Sequence, residues 1–466
     1  MSKKGNRRMP AGKPRARTRS KRAPRVKVDP AERKIRNRTA LFLGLLMAVN
    51  AYVFLGRDIG LDALGVPRAA VIGGAAGATL GTYADPPARS CTADPARIFA
   101  GLDRLLFQQT TLEGRAFAEA LALLGVRSDE IDALAAAIRP SLDLGLIAER
   151  GAPVRVASDR HGAVHALELE IAEGQLLQAC RSGGGFQIRT LHHAAALDVA
   201  TIEIEIGRDA DLLAAIAAAG ESPELAQVIA EALAYELDLQ TELRAGDQLR
   251  LVVEKRLIGD AFHRYGDVLG IRYRGDAGKH TALRYGGAYY TPEGQPVARA
   301  LRRTPLAYHP LPTEARGLLS PTLEVISGRP GAMYRRPEGA PVIALADGVI
   351  RSAQADGDAG LTLEIVHHGG LVTRYSHLSR LLASPSPGVA VRSGQLVALA
   401  GHSGKTAGDR VRLELWSEED GEVKQLDPLI LQANGDARPQ RLGVALEGPA
   451  LSRFQSDTAA LRRTLR

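Results

Sequence analysis

The sequence predicts an α+β chain of several domains: an N-terminal transmembrane helix, duplicated helix-helix-strand units with antiparallel strands, and an all-β C-terminal domain. Three observations predict it. An apolar run follows directly on a basic block, and one stretch of sequence recurs 95 residues later. From Pro341 to Trp416, short runs of alternating apolar residues are separated by Gly-rich turns.

The net charge of +8 hides an asymmetry. Residues 1–38 hold 16 Lys and Arg against Asp29 and Glu32, a net of +14, so the rest of the chain sums to −6. Thr39 to Gly56 is apolar except for Asn50. Eighteen helical residues reach about 27 Å, enough to cross a hydrocarbon core. The positive-inside rule puts residues 1–38 in the cytoplasm and the bulk across a bacterial inner membrane, in the periplasm. No small-x-small cleavage site follows the run, so residues 39–56 read as an uncleaved anchor. The basic arm lacks interleaved aromatics; contact with anionic lipid is expected and nucleic acid is not.

Residues 57–99, rich in Gly, Ala and Pro, read as a spacer. The two cysteines, Cys91 and Cys180, fall outside the cytoplasm under this topology, which is compatible with one disulfide. Neither has metal-type spacing.

The repeat lays Leu142 to Val156 over Leu237 to Leu251, with Leu-Asp-Leu and one glycine (Gly151, Gly246) coinciding. Upstream, two helical patterns flank Gly125 in one copy and Gly220 in the other. Ser128 and Ser222 are the expected N-caps of the second helices. Strand patterns follow each copy, giving two units at 100–160 and 161–310, a β domain at 311–430, and a loosely ordered tail at 431–466 with a terminal helix near Leu461.

The phrases ADGVI, YSHLS and AGHSGKTAGDRVRLELW, in this order and spacing, resemble the lysostaphin (LytM) type of peptidoglycan endopeptidase. The first unit is similar to a cell-wall-associated domain of opacity-protein-A type. The second resembles the helper domain that lies over the peptidase groove in shape-determining relatives. The resemblance implies a zinc held by a His, an Asp four residues on, and the second His of an HxH. Those positions hold Arg329, Met333 and Arg412, with Arg410 at the first His of the HxH; only His377 matches a catalytic position. Guanidinium has no lone pair to offer, and a thioether suits zinc poorly beside hard ligands. No zinc or other cofactor is therefore expected, and His377 reads as a vestigial catalytic residue. His367 and His368 are expected at a strand end or the surface, and His402 in a Gly-Ser-Gly turn.

Arg410, Arg412 and Glu414 alternate with Val411, Leu413 and Leu415, so one polar face carries all three. That face, with Arg329, reads as an exposed strand with charges paired across it, as a groove for peptide carboxylates, or as a protein-binding groove. If the second unit covers the groove, Glu236, Asp238, Glu242 and Asp247 are its candidate partners for Arg329, Arg410 and Arg412. The expected function is non-catalytic: binding peptidoglycan or regulating a wall hydrolase. An active zinc metalloendopeptidase and a structural membrane-to-wall tether are the alternatives.

Overall fold

The computed structural model describes residues 94–466 except 100–104, 113, 210, 309–318, 327, 383–385, 420 and 434–437. These belong to one unit, Ala75–Arg466. The basic tail, the expected transmembrane helix and Cys91 lie outside the described residues, whereas Cys180 is buried and disulfide-bonded. Among the described residues no helix is long and apolar enough to cross a membrane.

The duplication predicted by the 95-residue offset is realised as two similar folds. In the first, strand β1 (Leu106–Thr111) leads into α1 (Phe117–Leu123), α2 (Ser128–Ile138) and α3 (Leu144–Glu149). Strands β2 (Pro153–Ser158), β3 (Val164–Ala172), β4 (Gln175–Ser182) and β5 (Gly185–His192) complete an antiparallel sheet ordered β1-β2-β3-β4-β5. In the second, β6 (Ala195–Glu205) precedes α4 (Leu212–Ala218) and α5 (Leu225–Ala232). Then come β7 (Gln248–Ile258), β8 (Ala261–Gly275), β9 (Gly278–Tyr285) and β10 (Ala288–Tyr290), again in sequential order. Each helix pair buries its apolar stripe on one face of its sheet: Phe117, Leu121, Leu134 and Ile138 against Val154, Leu167 and Leu169, and Leu212, Ile216 and Ile229 against Leu249, Leu251 and Ile271. Gly125 and Gly220 turn the two pairs at φ 75° and 76°, in the left-handed region that glycine enters without strain.

Three expectations are corrected. The boundary at residue 160 moves, because the strands between 164 and 192 hydrogen-bond into the first sheet; hairpin pairing keeps them beside the strand that precedes them. Ser128 and Ser222 cap nothing with their side chains; Asp143 and Asp211, whose carboxylates accept backbone N–H groups, are the side-chain caps of α3 and α4. The described part of the tail is built into the fold: α6 (Gly448–Asp457) and α7 (Ala459–Thr464) fold back on the second sheet, sinking Phe454 and Leu465 against Val252 and Leu283. The terminal helix expected near Leu461 is α7, whereas α6 carries too few apolar residues to give a periodic signal in sequence.

The C-terminal domain is one ten-stranded sheet whose main path is β11-β12-β19-β16-β15-β14-β17. Its strands are β11 (Thr322–Ile326), β12 (Arg329–Arg335), β13 (Pro341–Ile343), β14 (Gly348–Ala355), β15 (Leu361–His367) and β16 (Leu371–Leu381). They continue as β17 (Ala390–Val391), β18 (Leu396–Ala400), β19 (Arg410–Glu419) and β20 (Glu422–Leu426). Val411, Leu413 and Leu415 fill the core as their alternation predicts, with Tyr334, Ile365 and Tyr375.

Candidate functional site

Register brings the expected positions together. Met333 on β12 pairs with Arg412 on β19, which pairs in turn with Ser376 on β16. Directly paired residues project to the same side of a sheet, so these three share a face with Arg374 and Glu414 two pairs further on. His377 follows Ser376 at φ 63°, the only non-glycine residue in the left-handed region among those described. Such a conformation costs roughly 1–3 kcal/mol and persists where surrounding structure imposes it. The imidazole is buried, and Nδ1 lies 3.0 Å from the Ser403 carbonyl, which requires the proton on Nδ1. Burial pushes its pKa down. The Ser403 carbonyl opposes that shift, and the positive charges of Arg410 and Arg412 reinforce it.

The arginines are not presented to solvent as a groove lining, which corrects the exposed-strand and open-groove readings for two of them. Arg410 and Arg412 are buried. Arg412 lies over Gly331, where a Cβ would come within 2.5 Å of Nε, and its Nη2 donates to the Arg329 carbonyl at 2.7 Å. Its ion partner is Glu414, only 2% exposed, on the same strand. Arg374 sits 3.7 Å from Glu414 and 3.7 Å from Glu364, and also pairs with Asp356. Arg410 donates to the Ala407 carbonyl at 2.8 Å and lies 3.7 Å from Glu324. Arg329 alone of the three is exposed. The polar face is thus closed by carboxylates of its own sheet, because a buried guanidinium left unpaired is far costlier than one paired across a strand.

This donor set does not fit the zinc that the resemblance implies. Met333 is buried beside a guanidinium, Arg412 is paired to Glu414, and His377 is a single imidazole. A catalytic zinc needs three protein donors with lone pairs and an open position.

The predicted contacts with the second helper domain are also corrected. Glu236 holds Arg438 at 2.7 Å and His280 at 3.1 Å; Asp247 accepts from Tyr273 at 2.7 Å, inside its own domain. Glu242 takes Arg303 at 2.9 Å, and Asp238 lies buried in the field of Arg336. The helper domain does touch the C-terminal domain, through Tyr235 to Ser393 at 3.2 Å and Arg336 to Gln240 at 3.3 Å, and Arg302 bridges the two by donating to Glu231 at 2.9 Å and to Ser393 at 2.8 Å; the arginines at this contact are 302, 303 and 336. These were not singled out from sequence, since charge alone does not separate a buried interfacial Arg from a surface one. The first domain makes contact too: Arg380, three residues beyond His377, donates to the Arg160 carbonyl at 2.6 Å and the Gly125 carbonyl at 3.1 Å.

His367 is a buried strand-end residue bonded to the Asp347 carbonyl and Thr373, and His368 is exposed, as expected. His402 departs from expectation by meeting two carboxylates, with Nδ1 3.1 Å from Asp409 Oδ1 and 3.6 Å from Glu338 Oε2. The signal for this grouping was absent from sequence, because Glu338 lies on the turn between β12 and β13, far along the chain from the β18–β19 loop that carries His402 and Asp409.

Residues 327–428 match Peptidase family M23, and the C-terminal sheet is an M23 (LytM-type) domain. Over 189 residues, 40% of this chain, the sequence is 25% identical to peptidoglycan DD-endopeptidase ShyC of Vibrio cholerae serotype O1, covering 43% of that protein. It is 28% identical over 177 residues to peptidoglycan DD-endopeptidase ShyA of the same organism, covering 37% of this chain and 41% of the relative. Among solved structures, a zinc containing peptidase from Vibrio cholerae is 22% identical, with 69% of this chain and 98% of that chain covered and a TM-score of 0.24. The chain spans less than half the length of the curated relatives it matches.

Proposed function

We propose that this protein acts in cell-wall metabolism without the zinc chemistry of the M23 family, binding peptidoglycan or regulating a wall hydrolase. It would do so from the periplasmic side of the inner membrane, anchored by residues 39–56. The relatives named as peptidoglycan endopeptidases support a wall-related role. One observation carries the non-catalytic reading: Arg412, at the last ligand position, is buried, ion-paired to Glu414, and faces Met333 across the strand pair. One imidazole without a metal cannot supply the several kcal/mol that a Lewis acid contributes to amide cleavage.

The test is incubation of the full-length protein with purified sacculi, scoring soluble muropeptides against protein retained on the sacculi. Retention without muropeptide release is the expected result. Release that is abolished by a chelator would sink the proposal. A second reading, an active metalloendopeptidase with a rearranged donor set, draws on one observation: Glu338, His402 and Asp409 converge on the loop whose Ser403 carbonyl holds His377. The same digestion decides between the two.

A further inference from the structure

None of the residues aligned with the family's metal ligands can serve as a donor set, yet a different set comes together in the same domain. Glu338 lies in the turn between β12 and β13, His402 just after β18, and Asp409 immediately before β19. One ligand atom from each lies within 4.8 Å of the other two. We propose that these three residues form a site for a divalent transition metal of the zinc class, at a place in the domain that the M23 ligand positions do not use.

The donor chemistry fits. One imidazole and two carboxylates are borderline and hard donors that suit zinc and its neighbours, and with a neutral imidazole they carry the two negative charges that balance a dication. Two ligands about 2.1 Å from a tetrahedral centre stand about 3.4 Å apart. The separations from His402 Nδ1 are 3.1 Å to Asp409 Oδ1 and 3.6 Å to Glu338 Oε2, on either side of that value. A proton on Nδ1 serves Asp409 at 3.1 Å but leaves Glu338 beyond hydrogen-bond range, whereas a metal at the same point serves both.

The backbone around the site is already fixed. Arg336 N–H donates to the Asp409 carbonyl at 3.4 Å, Gly339 N–H to Ala400 at 2.9 Å, Ala400 N–H to Ala340 at 2.8 Å, and Arg410 N–H to Gly401 at 2.8 Å. Glu338 N–H donates to Asp409 Oδ2 at 3.3 Å, which leaves Oδ1 facing His402. These bonds tie the three segments together, so a metal would order side chains rather than backbone. Arg410 is the adjacent residue, but its guanidinium is engaged by the Ala407 carbonyl at 2.8 Å and lies 3.7 Å from Glu324. The His402 side chain is 60% exposed, so an ion has access and open coordination positions face solvent.

Such an ion would clip the loop between β18 and β19 to the turn before β13. That loop carries Ser403, whose carbonyl orients His377 and whose hydroxyl donates to the Leu378 carbonyl at 2.6 Å. The role assigned to the metal is therefore structural, and it stands whether or not the domain cleaves anything.

The experiment is a zinc titration of the full-length protein, followed by desalting and elemental analysis, with thermal unfolding as a parallel readout. Cobalt substitution provides a visible spectrum of the site. The expected result is about one zinc per chain, a raised Tm, and loss of both in His402→Ala and Asp409→Ala. His377→Ala retains the metal. Binding that survives His402→Ala, or that disappears with His377→Ala, overturns the assignment, as does a zinc content no higher in the parent than in His402→Ala. His402 is exposed enough that its variant folds, and circular dichroism verifies this.

Discussion

The two copies of the duplicated fold share their helical part and differ in their arms. Strands β1, β2 and β3 run 6, 6 and 9 residues, while β6, β7 and β8 run 11, 11 and 15. The pairing partners show where the extra length enters. Val154 faces Leu169 in the first copy, and its repeat mate Leu249 faces Tyr273, so the second hairpin extends further beyond the shared register. The extension carries His263 and Arg264 onto the first sheet. His263 contacts Glu168 at 3.1 Å and the Ala96 carbonyl at 2.9 Å, and Arg264 pairs with Glu170 at 2.6 Å. A longer hairpin on an otherwise repeated unit thus becomes an interface between the two copies.

The same comparison holds at single positions. Arg155 faces Glu168 across β2 and β3; one copy later Arg250 faces Arg272 across β7 and β8. The first pair is buried, with Arg155 also stacked 4.7 Å from the centre of Phe99, while the second is only half-buried and Arg250 turns to Glu203. Glu168→Ala therefore has the largest expected effect, about 3–5 kcal/mol by urea denaturation, since it leaves buried Arg155 with only the longer 3.6 Å contact to Glu224 and strips His263 of its carboxylate. Arg272→Ala should fall within about 0.5 kcal/mol. Equal costs would break the comparison.

Glu168 also sets a pH dependence. Despite burial, which alone would raise it, the His263 hydrogen bond and the Arg155 charge bring its carboxyl down to about 2. The folded value lies below the unfolded one, so this stabilisation is present in full above about pH 4.5 and is lost as pH falls toward 2. Glu168→Gln should flatten the stability curve over that window. A curve unchanged in shape would remove Glu168 as its source.

The Leu-Asp-Leu motifs give the next contrast. Asp143 is an exposed cap that accepts from Gly145 N–H at 2.9 Å, and Asp238 makes the same local bond to Gln240 at 3.0 Å. Asp238, however, is 1% exposed and faces Arg336, whose pKa burial pushes down to about 10 against the pull of that carboxylate. Asp143→Ala should cost about 1 kcal/mol, a lost cap. Asp238→Ala should cost about 3 kcal/mol, with Arg336 left uncompensated at the domain contact. Matching midpoints in chemical denaturation would show that the burial difference has no energetic weight.

The smallest contrast is the glycine pair. At Gly220 an added Cβ meets nothing within 4 Å, so Gly220→Ala should cost only the left-handed backbone, about 1–2 kcal/mol. At Gly125 the same Cβ falls 2.8 Å from Leu382 of the C-terminal domain, adding an overpacking cost of about 1–3 kcal/mol. Thermal unfolding of the two variants separates the backbone cost from the contact.

Much of the site was legible in sequence, but only as positions. The phrases around Arg329, Met333, His377 and Arg412 gave the alignment, and β-strand periodicity put Arg410, Arg412 and Glu414 on one face. Sequence could not give the closure of that face. Whether a guanidinium meets peptide, solvent or Glu414 depends on how strands 30 to 80 residues apart stack, as in the Met333–Arg412–Ser376 row. Nor could spacing reveal that Glu338 meets His402 and Asp409, since its turn is brought to their loop by tertiary contacts such as the β13–β18 pairing and the Arg336–Asp409 backbone bond.

Sequence by itself therefore determined what is encoded locally: the duplicated helices, the glycine turns at Gly125, Gly220, Gly151 and Gly246, the alternation that fills the C-terminal core, and the absence of lone-pair donors at Arg329 and Arg412. Tertiary structure alone decided which charges are buried and by what they are neutralised. Asp143 and Asp238 carry the same local code, and Arg410 and Arg329 the same functional group. The dielectric around each, and the partner within reach, come from packing between distant segments, and local sequence does not specify either.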